Sequence, residues 1–307
     1  MVYLNRFQAE LLLLAVAAIW GTSYGFTKEA LLYVSVPVFL ALRFLLTFIL
    51  LSPAIWQSLK QGLARDLIPA ISTGLILFSI FLAEVYGVAQ TSAANAAFLI
   101  SLFILFTPLL EWLVYQRSPG QRLFILALAC LVGVYLLTQN PSKPFTWQLN
   151  LGDALMIVAA FLRSIMGIAT KKLMQGRSLS SLSLTAVQAG VVGLGALIIG
   201  LWQSNQLAIP SLENSHFWLI LLYLVLFCTI FAFFAMNYGL KHTTPTRVAL
   251  LTGSEPAFGA LFAVLYLGEH LVWYQWLGGL LIVAAALYSV LPEKVVASSP
   301  KSCSSTT

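Results

Sequence analysis

Four ionisable residues sit inside otherwise apolar runs: Arg43 in FLALRFLLTF, Glu84 in FSIFLAEVYGV, Arg163 in VAAFLRSIMG and Glu255 in LLTGSEPAFG. At the centre of a membrane helix each such group costs about 2.5–3.5 kcal/mol on insertion scales. Two cations and two carboxylates in that setting allow two kinds of chemistry. They can pair as buried salt bridges that lock helices together. Alternatively, one member can hold the charged part of a solute, and a carboxylate in a low dielectric is suited to taking up a proton during exchange. At a rise of about 1.5 Å per residue, Arg163 and Glu255 fall near the middle of a core about 30 Å thick. Arg43 and Glu84 fall roughly 5–10 Å from one face by the same count, a depth at which they could form a second pair.

The remaining candidates are less charged. Trp20, Tyr24, Tyr86, Phe98 and Tyr238 can line a cavity that stacks on aromatic or cationic solutes, although a packing or lipid-facing role is the better account of any one of them. Gln188 is the approximate counterpart of Arg43 in the second half, and Asn237 is a further buried polar candidate. Glu111 lies near a span end and is expected to snorkel to the interface, as are Lys28, Glu29 and Asp153 at span rims. Glu269, beside His270 in a short turn, is read as a structural cap. Pro108 and Pro256 near mid-span are expected to kink their helices.

The elements that position these groups follow from composition. The chain has 307 residues, 60% hydrophobic and 8% charged, with a formal charge of +6 and a mean hydropathy of +0.92. A soluble domain carries about 25% charged residues, so a water-facing surface is excluded. Apolar stretches of spanning length recur end to end. Ten spans are placed at approximately 10–30, 36–56, 67–89, 92–115, 121–139, 151–172, 180–202, 216–240, 245–267 and 271–291. The predicted fold is an all-α integral membrane protein. Its parts are a first five-helix repeat at 8–139, a linker at 140–150, a second repeat at 151–292 and a disordered tail at 293–307.

Charge sets the orientation. With the N-terminus inside, twelve of the sixteen Lys and Arg fall on the inner side, against Lys28 and Lys143 outside. The positive-inside rule then predicts both termini in the cytoplasm, and the expected location of this multi-pass chain is the plasma membrane. Five spans per half invert the second half relative to the first. Sequence supports the duplication, because Tyr86-Gly87 answers Tyr238-Gly239 and Thr91-Ser92 answers Thr243-Thr244. The loop charges swap as inversion requires: Arg117 and Arg122 follow span 4, whereas Glu269 and His270 follow span 9. Inverted repeats of this kind are a hallmark of secondary transporters.

These residues resemble the drug/metabolite transporter superfamily, specifically its proteins built from two EamA domains, over about residues 8–292. The carriers of the resemblance are Trp20-Gly21-Thr22-Ser23 with Lys28, Ala41-Leu42-Arg43-Phe44, and Thr91 through Leu99 leading to Pro108. In the second half they are Thr244-Pro245-Thr246, Glu255-Pro256, Leu267-Gly268-Glu269 and Gly278-Gly279. The resemblance implies a transporter, often an exporter, of small metabolites such as amino acids or of amphipathic drugs, with a cavity between the halves. The chain departs from it at Glu84, where a Gln is common, and at Gln116-Arg117, where a Glu is common.

No enzyme signature accompanies this pattern. Walker-type phosphate loops are missing from the sequence, and His216, His242 and His270 are scattered. Cys130, Cys228 and Cys303 show no paired spacing. The expectation is therefore a secondary transporter without cofactor, metal or nucleic acid, whose partners are a small-molecule substrate and the bilayer. Proton coupling and a homodimer remain open at this level. Rival readings are an intramembrane enzyme or scramblase acting on lipids, and an organelle sugar-nucleotide or triose-phosphate carrier.

Overall fold

The structure, a computed structural model, describes residues 2–91, 93–116, 120–139, 150–203, 210–211, 213–267 and 270–291. Most of the expected linker, the tail from 293, Arg117 and Glu269 lie outside the described residues. The described residues are predominantly helical, with no strand among them. Among the described residues, eight stretches are long and apolar enough to cross a membrane, and Phe7–Ser23 is a shorter apolar helix. The chain is a multi-pass membrane protein.

The helices in chain order are α1 (Val2–Ala30), α2 (Val36–Lys60), α3 (Ala64–Leu67), α4 (Ala70–Gln90), α5 (Ala93–Ile100), α6 (Phe103–Tyr115) and α7 (Gln121–Thr138). Then follow α8 (Leu151–Met174), α9 (Ser181–Gln203), α10 (Ser215–Val225), α11 (Ala232–His242), α12 (Pro245–Thr252), α13 (Glu255–Leu267) and α14 (Trp273–Val290). Local chemistry explains their ends. The Asn150 side chain accepts from the Asp153 N–H at 2.8 Å, and the Asp153 carboxylate accepts from the Asn150 N–H at 3.2 Å, a reciprocal cap that opens α8. Thr244 caps α12, and Pro245 occupies its first position, where a missing N–H leaves no bond unmade. Gln116, at φ 52°, turns left-handed and stops α6.

Three interruptions matter for the site. The expected fourth span breaks at Ser101–Leu102 between α5 and α6, and the ninth breaks at Gly253–Ser254 between α12 and α13. The second break makes Glu255 the first residue of α13, where the positive end of the helix dipole favours a carboxylate. Pro256 was expected to kink a helix. It sits in the first turn of α13 instead, and the discontinuity belongs to Gly253–Ser254 just before it. Third, residues Leu226–Phe231 between α10 and α11 form a π-helical segment. Such a segment shifts the hydrogen-bond ladder and re-aims the carbonyls around it.

Packing divides the helices into two central groups and two flanking pairs. α1 packs along α11, α12 and α13, and α8 packs along α4, α5 and α6. The pairs α2/α9 and α7/α14 brace these groups from outside. Gly21 in α1 meets Gly259 in α13 so closely that a Cβ at Gly21 would lie 2.6 Å from the Gly259 nitrogen. Small residues at such points let backbones touch in a membrane, where dispersion contacts replace the hydrophobic effect between helices. The outer faces stay apolar, as exposed Leu265 and Trp202 illustrate.

Candidate functional site

A cavity of about 1130 Å³, counted out to its open mouth, runs between the two central groups. Its walls are mainly apolar, with Phe81, Phe103 and Phe233 among them, and it carries all four intramembrane ionisable residues. Trp20 and Asn237 also line it.

Arg163 and Glu255 meet as the sequence led one to expect. Arg163 Nη2 lies 3.9 Å from Glu255 Oε2, and the two side chains are 16% and 8% exposed. At that separation the pair is an electrostatic contact at the outer limit of ion pairing. The Arg163 guanidinium lies 5.2 Å from the Trp20 ring centre and 5.0 Å from that of Phe103, so two aromatic faces hold it.

The second pair has a different footing. Arg43 is buried and donates from Nε to Thr229 Oγ1 at 2.7 Å and from Nη2 to the Cys228 carbonyl at 3.3 Å. Thr229 in turn donates to the Leu224 carbonyl at 2.8 Å. The same Cys228 carbonyl accepts from Trp20 Nε1 at 2.9 Å. One carbonyl of the π segment therefore ties the Trp20 beneath Arg163 to the second cation. Arg43 also faces the rings of Phe44 and Phe81, and Glu84 lines the same cavity.

A neutral network backs this wall. Asn237 Nδ2 donates to Thr185 Oγ1 at 2.9 Å and to Gln188 Oε1 at 3.1 Å, and Gln188 Nε2 donates to Thr73 Oγ1 at 3.1 Å. Gln188 thus reaches the cavity only through Asn237. Two aromatic candidates lie away from the lining. Tyr86 accepts from Gln203 Nε2 at 3.3 Å, and Tyr238 stacks on His242 at 4.1 Å. Phe98 packs on Tyr135. The side chain of Tyr24 lies outside the described residues.

The rim carboxylates do more than snorkel. Glu111 accepts from the Thr246 N–H at 2.9 Å and from its hydroxyl at 2.5 Å. Asp153 is buried at the start of α8, where it also accepts from the Thr91 hydroxyl. The anchoring role of Cys228 and Thr229 escapes sequence reasoning, because a π segment leaves no periodicity of its own. The polar pair inside LFCTIF is the only available hint.

Comparison with known proteins agrees with this architecture. Residues 7–139 and 150–291 match the EamA-like transporter family. An uncharacterized transporter of Archaeoglobus fulgidus is 26% identical over 286 residues, covering 92% of this chain and 86% of the relative. A second from the same organism is 28% identical over 288 residues, covering 90% and 95%. A solved crystal structure superposes with a TM-score of 0.74 over 92% of this chain and 96% of that one, at 18% identity, a likeness of fold. With nearly its whole length matched in two segments, the chain belongs to the EamA-like transporter family.

Proposed function

We propose that this membrane transporter is a secondary exporter of the plasma membrane. It moves small organic solutes, amino acid-like or amphipathic and drug-like, by alternating access of two inverted five-helix repeats, with both termini in the cytoplasm. The observation that carries the reading is one cavity whose mainly apolar walls include two cations and two carboxylates. Such walls accept an apolar body, while the Arg163–Glu255 pair offers opposite charges to a polar end.

Repeated contacts support ten spans in two inverted halves, at about 8–139 and 151–292. One ungapped register sets Glu10, Leu13, Trp20 and Gly21 against Asp153, Met156, Arg163 and Ser164. A second sets Gly87, Ser101 and Thr107 against Gly239, Gly253 and Gly259. Contacts follow both registers. Leu13 packs on Gly239, as Met156 packs on Gly87. Gly21 touches Gly259, as Ser164 bonds Thr107 at 3.1 Å. The helix breaks at Ser101 and Gly253 also correspond.

A thermal-shift screen of purified protein against amino acids, nucleosides and cationic drugs should yield a stabilising solute. Counterflow of that radiolabelled solute in proteoliposomes, without chemical change, is the expected result. Conversion of solute or lipid to a new product would replace this reading with an enzyme.

A further inference from the structure

We infer that Glu111 and Lys171 form a latch on the turn between α11 and α12, and that this latch holds the cavity shut at one end. The proposal gives a structural device to the alternating access proposed above, and it rests on that reading for its purpose.

The turn presents two helix ends at once. The carbonyls of Lys241 and Thr243 mark the C-terminal end of α11, and Lys171 Nζ donates to them at 3.4 and 2.9 Å. The N–H and hydroxyl of Thr246 mark the first turn of α12, and both bond to Glu111 Oε2. A cation thus meets the negative end of one helix and a carboxylate meets the positive end of the next. Lys171 belongs to α8 and Glu111 to α6, whereas the turn belongs to the α1 group. Both contacts therefore cross between the two central groups.

Arg163–Glu255 also crosses, deeper in the cavity, whereas two charged contacts near the span ends do not. Arg247 and Glu10 pair at 3.8 Å within the α1 group, and Thr91 bonds Asp153 within the α8 group. These contacts persist if the groups move as bodies. Cavity residues adjoin the latch directly: Thr170 precedes Lys171 and Leu240 precedes Lys241, and both are buried. At the opposite end the lining residues Thr27, Leu31 and Val88 are partly exposed. Among the described residues, extensive packing between the groups involves only α11, α12, α6 and α8. The outer halves α5, α10 and α13 pack chiefly within their own group or on the flanking pairs. Closure is concentrated at the latch.

The test reads conformation in the full-length protein without any solute, so its failure would count against the latch and leave the transporter reading standing. Spin labels are placed in a chain whose three cysteines are replaced by serine. One pair spans the latch end, at Leu113 and Lys241, and the other spans the opposite end, at Leu32 and Gln90. Double electron–electron resonance should give a short distribution across the latch in the otherwise native chain. Glu111→Gln and Lys171→Met should each add a longer population there and a shorter one at the opposite end, whereas Asp153→Asn should leave both unchanged. Unchanged distances in well-folded Glu111→Gln and Lys171→Met overturn the proposal. Should those variants not fold, Glu111→Cys with Thr246→Cys, bridged by a short bis-methanethiosulfonate, decides the matter. Bridging should narrow the distribution between labelled Leu32 and Gln90 to its long component and unbridging should broaden it, and an identical spread in both states overturns the latch.

Discussion

Trp20 and Arg163 occupy corresponding positions of the two halves and stack on one another, with the guanidinium 5.2 Å from the indole centre. Phe103 and Glu255 also correspond in the second register, and they flank the same guanidinium. At the middle of the cavity, two aromatic residues of the first half therefore face a charged pair from the second. The stacking surface thus comes from one of the two segments that match the family, 7–139, and the charges from the other, 150–291.

Removing one member of the central pair should cost far more than removing both. Breaking a buried pair typically costs about 3–5 kcal/mol, because the remaining charge loses its partner. Glu255→Gln and Arg163→Met should each lower the melting temperature of the purified protein, and the double variant should recover much of the loss. Additive losses would mean that the two residues act independently.

Arg43 should depend on the hydroxyl of Thr229. Thr229→Val keeps the shape and removes an acceptor from a buried cation, a loss of about 1–3 kcal/mol. Thr229→Ser should restore stability. A Val variant as stable as the parent would show that the π segment does not hold Arg43.

Close helix contact makes a sharp comparison between two glycines of α1. A Cβ at Gly21 would strike the Gly259 backbone, whereas one at Gly25 meets nothing within 4 Å. Gly21→Ala should cost about 1–3 kcal/mol by overpacking, and Gly25→Ala should be neutral in the same melting assay. Equal behaviour would contradict the described approach of α1 to α13.

Much of this arrangement was legible beforehand. Membrane insertion makes intramembrane charges rare, so Arg43, Glu84, Arg163 and Glu255 stood out, and the rise per residue set Arg163 level with Glu255. Lateral position was not legible. Nothing in depth or spacing reveals that Tyr86 and Tyr238 point away from the cavity, or that Glu111 turns toward α12 rather than to the interface. The π segment was hidden for a related reason, since one extra residue in a helical turn changes which carbonyls are free without altering the apolar pattern.

Proton coupling should be carried by a cavity carboxylate. In proteoliposomes, Glu255→Gln or Glu84→Gln should abolish solute movement driven by a pH gradient, a loss of at least about 10-fold, while counterflow persists in Glu84→Gln. Gradient-driven movement that survives both substitutions would remove protons from the account.

The most direct measurement is counterflow itself. Proteoliposomes loaded with the unlabelled solute that stabilises the purified protein should accumulate the labelled solute transiently, and empty liposomes should not. The labelled solute should be recovered unchanged. Absence of counterflow with folded, solute-stabilised protein, or recovery of a chemically altered solute, would contradict transport through this cavity.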